Sequence, residues 1–350
     1  MLFQHYFSRL ASTRPPKLIA LATFLLAFSA FFTVQQASGQ EATSRTASVE
    51  QLTAMLQAID PYRPTEITKE TIEVFGSSSM DALAHGWATG FKQFHPQAKL
   101  QISAVGSGEL QTTMLAKPTG VAMVSRPVTA SELEELKKKG LKNPVAFMVA
   151  REALSVFVHA SNPVATISGE QLRDVFTTGA HLGQLKWSSV GASGQWAEQP
   201  VHLIARTETS GTQRFLADFV FNGAQMREGL SNHESNAEVL QALSNDPLAI
   251  AICGFRSSGS AVKALQLTSG ATIIPCDDHA VLSGQYPLTR PMSLVIDMGQ
   301  TGSKALASQE LVRYALCQSG QTQAILVGLF PVDLPLLRAG METLSAATVR

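Results

Sequence analysis

The chain has 350 residues, of which 45% are hydrophobic and 15% charged, and its formal net charge is zero. That length suits two lobes or one large domain with a sizeable core. Balanced charge excludes global attraction to a polyanion, so neither nucleic acid nor an anionic membrane surface is an expected partner.

The first 40 residues stand apart. Arg9, Arg14 and Lys17 precede the apolar run 18–34, small residues follow in "QASGQE", and no acid occurs before Glu41. This is the order of a secretory signal, with cleavage expected near residues 37–41. The rival reading is a membrane anchor, but the run has 17 residues and includes Thr23, Ser29 and Thr33, which is short for a span of ~20. Removing residues 1–39 takes away three bases and no acid. An anion would then have to be held by local geometry. Residues 40–70 read as a polar leader with one short helix over 48–59.

From Thr71 strands and helices alternate. "TIEVFG" (71–76) is a strand, and "SSSMDALAHGWATGFKQF" has helical spacing at Met80, Leu83, Ala84, Trp87 and Phe91. "KLQISAVG" (99–106) and "GVAMVS" (120–125) are strands, each followed by helical pattern. In the helix of "TASELEELKKKG", Ser131 and Glu134 lie close to capping-box spacing and Gly140 is the stop. "EALSVFVHA" (152–160) reads as a buried strand, "SGEQLRDVFTTG" as a helix and "QLKWSSVGASGQWAEQP" as loop. "VHLIAR" is a strand, and Phe215, Leu216, Phe219 and Val220 give the helix after Thr212 a core-facing stripe. "DPLAIAICGF" (246–255) is a strand, "YPLTRPMSLVID" (286–297) is extended, and 308–330 contains a long amphipathic helix. Such alternation predicts an α/β fold with mostly parallel sheet and helices on both faces.

Three predicted strands end in the same chemistry: Ser77, Ser78 and Ser79; Ser107 and Gly108; Ser210, Gly211 and Thr212, with Arg206 just upstream of the last. A helix start offers backbone N–H groups without intrahelical partners and the positive end of the helix dipole. Glycine admits close approach, hydroxyls add neutral donors, and one Arg supplies a forked charge suited to phosphate or carboxylate. Each serine alone could be only a helix cap. Three such turns at strand C-terminal ends favour a ligand site, because open parallel sheets bind there.

Other chemistries fit poorly. The chain has no G-x-S-x-G elbow, phosphate-loop lysine motif, G-x-G-x-x-G fingerprint or H-E-x-x-H. "CDDH" (276–279) reads as a surface turn, since consecutive residues rarely converge on one metal. No metal or cofactor is expected. Cys253, Cys276 and Cys317 are an odd set, read as buried thiols with a Cys253–Cys276 bridge left open.

On "GSSSM", "VGSGEL", "VAMVSRPVTASE", "REALSVFVHASNPVATISGEQLRDVFTTG", "RTETSGTQRFL", "AIAICGF" and "YPLTRPMSLVI", the chain resembles the periplasmic phosphate-binding proteins of bacterial phosphate ABC transporters from about Thr71 to Phe330. The resemblance implies a two-lobed type II periplasmic-binding-protein fold, each lobe a mostly parallel sheet flanked by helices. Residues 71–159 with 287–340 would form lobe one and residues 160–286 lobe two, joined near 158–162 and 284–290. It implies inorganic phosphate held by Ser77, Ser78, Ser107 and Ser125 from one lobe and by Arg206, Ser210, Gly211 and Thr212 from the other. It further implies a monomer that is no enzyme, works in the periplasm and hands phosphate to ABC permease subunits of the inner membrane. One departure stands out. Where well-known members carry an Asp that accepts the ligand's proton, this chain reads Ser125-Arg126. Arg126 would either add charge to the cleft or face solvent. Two rivals differ in role: a phosphate sensor or scavenger of the same fold, and a phosphate-ester hydrolase with Ser210 as nucleophile.

Overall fold

The computed structural model describes residues 50–104, 110–178, 185–256 and 261–348. The segment expected to be a secretory signal and Ser107 lie outside them. Residues 50–57 are helical, within the segment where one helix is expected.

The elements follow in chain order. First come β1 (Thr71–Gly76), a 3-10 turn at Ser78–Met80, α1 (Asp81–Phe91), β2 (Lys99–Ser103), α2 (Leu110–Ala116), β3 (Val121–Val124), α3 (Ala130–Lys138) and β4 (Pro144–His159). Next are β5 (Thr166–Ser168), α4 (Gly169–Phe176), β6 (His202–Arg206), α5 (Gly211–Phe215), β7 (Ser231–His233), α6 (Asn236–Ser244) and β8 (Ala249–Gly254). The remainder are β9 (Val262–Ala264), β10 (Gln266–Ser269), β11 (Thr272–Ile274), α7 (Asp278–Leu282), β12 (Thr289–Asp297), α8 (Ser303–Leu316), α9 (Gln318–Leu326) and α10 (Leu334–Thr348).

The main sheet has nine strands in the order β2-β1-β3-β12-β4-β8-β6-β7, with β9 on β4. Its outer parts are parallel: β2, β1 and β3 on one side, β8, β6 and β7 on the other. Its centre is antiparallel, because β12 runs against both β3 and β4, and β4 against β8. The sheet is therefore mixed, its two parallel sets joined through two long central strands.

Strand β4 carries that join. Residues 144–153 pair with β12, and residues 154–158 pair with β8. The buried strand expected at 152–160 is only its second half. The first half, "PVAFMVAR", mixes buried and partly buried positions without strict alternation against β12. Side chains from both sheet halves make separate cores, one around Phe75, Met114, Val124 and Val295, the other around Val156, Ile167, Trp187 and Phe215.

Several local expectations shift for physical reasons. The capping box of α3 is Thr129 with Glu132, not Ser131 with Glu134, because Thr129 has the extended backbone of an N-cap and its side chain receives the Glu132 amide. The Gly/Ser-rich stretch taken as loop holds two 3-10 turns, Trp187–Val190 and Gly194–Trp196, and buries Trp187 completely. The long helix within 308–330 is two helices. Cys317 between them is extended, and Gly320 lies so close to Ala315 that a side chain there would collide with its backbone. In "CDDH", Asp277 caps α7 and Asp278 pairs with Arg256. None of the three cysteines is in a disulfide, and Cys276 is only partly buried where Cys253 and Cys317 are fully so.

Candidate oxyanion site

The site forms where the two sheet halves meet, from the turns at the ends of β1, β3 and β6. Gly76 closes β1 with φ +121°, and a Cβ there would sit 2.3 Å from the Met123 carbonyl oxygen. Only glycine permits that approach of β1 to β3. The next amide, Ser77 N–H, donates to Met123 O at 2.9 Å. Ser77 Oγ caps the following 3-10 turn by accepting from Ser79 N–H, and lies 2.6 Å from Ser125 Oγ. Both serines are wholly buried. The turns after β1 and β3 thus form one hydroxyl cluster.

Across from it, β6 ends at Arg206 and the chain turns into α5. Ser210 is the N-cap, its Oγ receiving the Gln213 amide at 3.1 Å. Gly211 and Thr212 are buried in the first turn, and the helix passes directly into a π-helical turn at Leu216–Val220. Arg206 is 3% exposed, and its guanidinium is held on several sides. It donates to the carbonyls of His233 and Glu234, to Asn236 Oδ1 and, across the junction, to Ser78 Oγ at 3.3 Å. Burial, and then the charge of nearby Arg290, pull its pKa below the ordinary arginine range, while Glu152 acts in the opposite sense.

Two residues passed over in the sequence complete the cluster. Arg290 on β12 is 1% exposed. Its Nε and Nη2 both donate to Glu152 Oε2 on β4, at 2.8 and 2.5 Å, and its Nη1 donates to the Ser125 carbonyl at 2.9 Å. Nη2 also reaches Ser79 Oγ at 3.2 Å and Thr212 Oγ1 at 2.7 Å. Arg290 and Glu152 face each other directly in the β12–β4 register. Each arginine therefore touches a hydroxyl of the opposite half: Arg206 reaches Ser78, and Arg290 reaches Thr212.

Of the residues named from sequence, Ser77, Ser78, Ser125, Arg206 and Thr212 share this hydrogen-bonded cluster, and Ser210 and Gly211 form its adjoining helix turn. Arg126 does not face solvent. The residue is 8% exposed, and its guanidinium forks onto both carboxylate oxygens of Glu132, at 3.0 and 2.6 Å, which ties it to the cap of α3. Arg290 had a weak signal in sequence, an arginine inside an apolar extended run. Only the register of β12 against β4 reveals its partner.

A family model for the PBP superfamily domain matches residues 35–317. The chain is 24% identical over 314 residues to the phosphate-binding protein PstS of Pseudomonas aeruginosa, covering 88% of this chain and 95% of that one. Its fold resembles the crystal structure of a possible phosphate binding protein from Planctomyces limnophilus, with a TM-score of 0.59, 24% identity, and coverage of 81% of this chain and 99% of the other. It likewise resembles an ABC-type phosphate transport receptor from Vibrio cholerae, with a TM-score of 0.62, 20% identity, and coverage of 75% and 100%.

Proposed function

The chain belongs to the PBP superfamily, and from that membership we propose that it captures inorganic phosphate between its two sheet halves and passes it to an ABC importer. The observation that carries this reading is the reciprocal reach of Arg206 and Arg290 into hydroxyls of opposite halves. Two buried cations and one buried carboxylate leave an excess positive charge among neutral donors. Such a set favours an anion stripped of water, with hydrogen bonds to a charged group each contributing roughly 1.5–3 kcal/mol.

Ser77, Ser78 and Ser125 grip the ligand from one side, and Arg206, Ser210, Gly211 and Thr212 from the other; Ser107, outside the described residues, is a further proposed donor. The protein works by hinge closure and carries out no chemical step. Residues 71–159 with 287–340 move as one lobe and 160–286 as the other. The change of pairing partner within β4 supports a hinge near Ala153 and Leu154, a few residues before the junction expected from sequence. Its place of work is the periplasm, reached through a cleaved signal, and it acts as a monomer against the permease.

The hydrolase reading is weaker for a specific reason. Ser210 Oγ is occupied as the acceptor of its own helix cap, and the ring of His233, on the strand beside β6, is turned to Ser231 at 3.0 Å. A serine nucleophile needs a base within reach.

The test is calorimetry and thermal shift of the protein with phosphate, sulfate, molybdate and citrate. Phosphate should raise the melting temperature in a concentration-dependent way, because it binds the folded state alone. Equal shifts from citrate and phosphate, or none from phosphate, would remove the proposal.

A further inference from the structure

The Arg290–Glu152 pair has an asymmetry that bears on which anion is taken. Both guanidinium contacts fall on a single carboxylate oxygen, Oε2. Glu152 Oε1 accepts no hydrogen bond from any described residue, although the side chain is only 8% exposed. A carboxylate oxygen can only accept, so whatever pairs with Oε1 must bring a proton. On the arginine, the two protons of Nη2 face three acceptors, namely Glu152, Ser79 and Thr212. The hydroxyls of Ser79 and Thr212 can rotate and donate instead. An incoming oxyanion would accept from both of them and from the Nη2 proton they release.

We propose that Arg290 and Glu152 act as one donor–acceptor couple at the bound oxyanion, Arg290 Nη2 donating to a charged ligand oxygen and Glu152 Oε1 accepting from a protonated one. This deepens the phosphate reading and rests on it. The ligand class follows: a tetrahedral oxyanion that keeps at least one proton near neutral pH. Phosphate and arsenate qualify, whereas sulfate does not. A fully deprotonated oxygen against Oε1 would set two acceptors facing each other in a water-poor site, which is costly. The couple also stands on the two central strands, so the ligand would touch the join between the halves as well as their facing turns.

The discriminating probe is monofluorophosphate, which matches hydrogen phosphate in shape and charge but carries fluorine where the hydroxyl would be. It can be titrated calorimetrically into the unmodified full chain, so no variant need fold. Monofluorophosphate should bind at least roughly tenfold more weakly than phosphate, since a site built to pair a ligand hydroxyl rejects its analogue. Equal affinity would overturn the acceptor half. In Glu152→Gln the preference for phosphate over monofluorophosphate should shrink towards unity, and an unchanged ratio in folded protein would also sink it. In Arg290→Gln both ligands should weaken by a similar factor of at least roughly tenfold; undiminished affinity would overturn the donor half. If the unmodified chain takes up neither ligand, the phosphate reading itself falls and the couple with it.

Discussion

Arg206 is anchored so firmly within its own half that it arrives at the junction already positioned. Carbonyls of His233 and Glu234 and the side chain of Asn236 hold it, so little side-chain entropy remains to be lost on binding. Arg206→Ala should therefore weaken phosphate binding by at least roughly a hundredfold, equivalent to about 2.7 kcal/mol, as read by calorimetry. Ser210 serves as both helix cap and proposed phosphate contact. Ser210→Ala should lower unfolding free energy by about 1 kcal/mol, measured by urea denaturation without ligand, and should lose affinity in addition. Loss of stability with unchanged affinity would reduce Ser210 to a cap. Gly76 is a third sensitive position. Gly76→Ala meets both a positive φ and the Met123 carbonyl, and should cost roughly 2–4 kcal/mol.

Among the elements, α3 shows how one acid can serve two purposes. Glu132 closes the capping box with Thr129 and pairs with Arg126. Burial pushes its carboxyl upward, but the hydrogen bonds from Arg126 and Thr129 outweigh that and hold its pKa below the usual glutamate range. With the folded value below the unfolded one, the stabilisation is fully present above the ordinary glutamate pKa of about 4.3. It fades as pH falls through the lower folded value. Urea midpoints of the unmodified chain and of Glu132→Gln should therefore differ near neutral pH and converge in acid. Phosphate affinity should be unaffected, since Arg126 is turned towards α3; a drop in affinity would place Arg126 in the site after all.

Elements also set what could be read from sequence. The turn from Arg206 to Thr212 was legible because cap, glycine and arginine lie within seven consecutive residues and their chemistry is local. Arg290 and Glu152 are 138 positions apart, and their meeting depends on a strand register that no local pattern encodes. The missed first half of β4 has the same origin. Its apolar positions are interrupted and partly exposed, and its neighbour β12 arrives from the far end of the chain. The split between α8 and α9 was hidden because helical spacing continues through Cys317, whereas the extended backbone there folds the chain back and sets Gly320 against the backbone of Tyr314 and Ala315.

For the whole molecule, the two halves are joined by strands that run through the site, and the proposed closure would be a change in their bend or twist. Small-angle scattering should show a smaller radius of gyration with phosphate than without it, and Arg206→Ala should blunt that change. A radius independent of phosphate would argue against closure. The placement of β12 has a different consequence, for how the protein comes to be made. This strand inserts between β3 and β4, so the sheet has a gap at its middle until the chain has been synthesised past Asp297. Its partners precede it by well over a hundred positions, which makes native pairing slow relative to local structure. A chain ending before Thr289 should be protease-sensitive even though it contains most of the strands. The nascent sheet therefore stays open between β3 and β4 until late in synthesis; if the chain is exported as proposed, that delay suits a polypeptide that crosses a membrane before it folds.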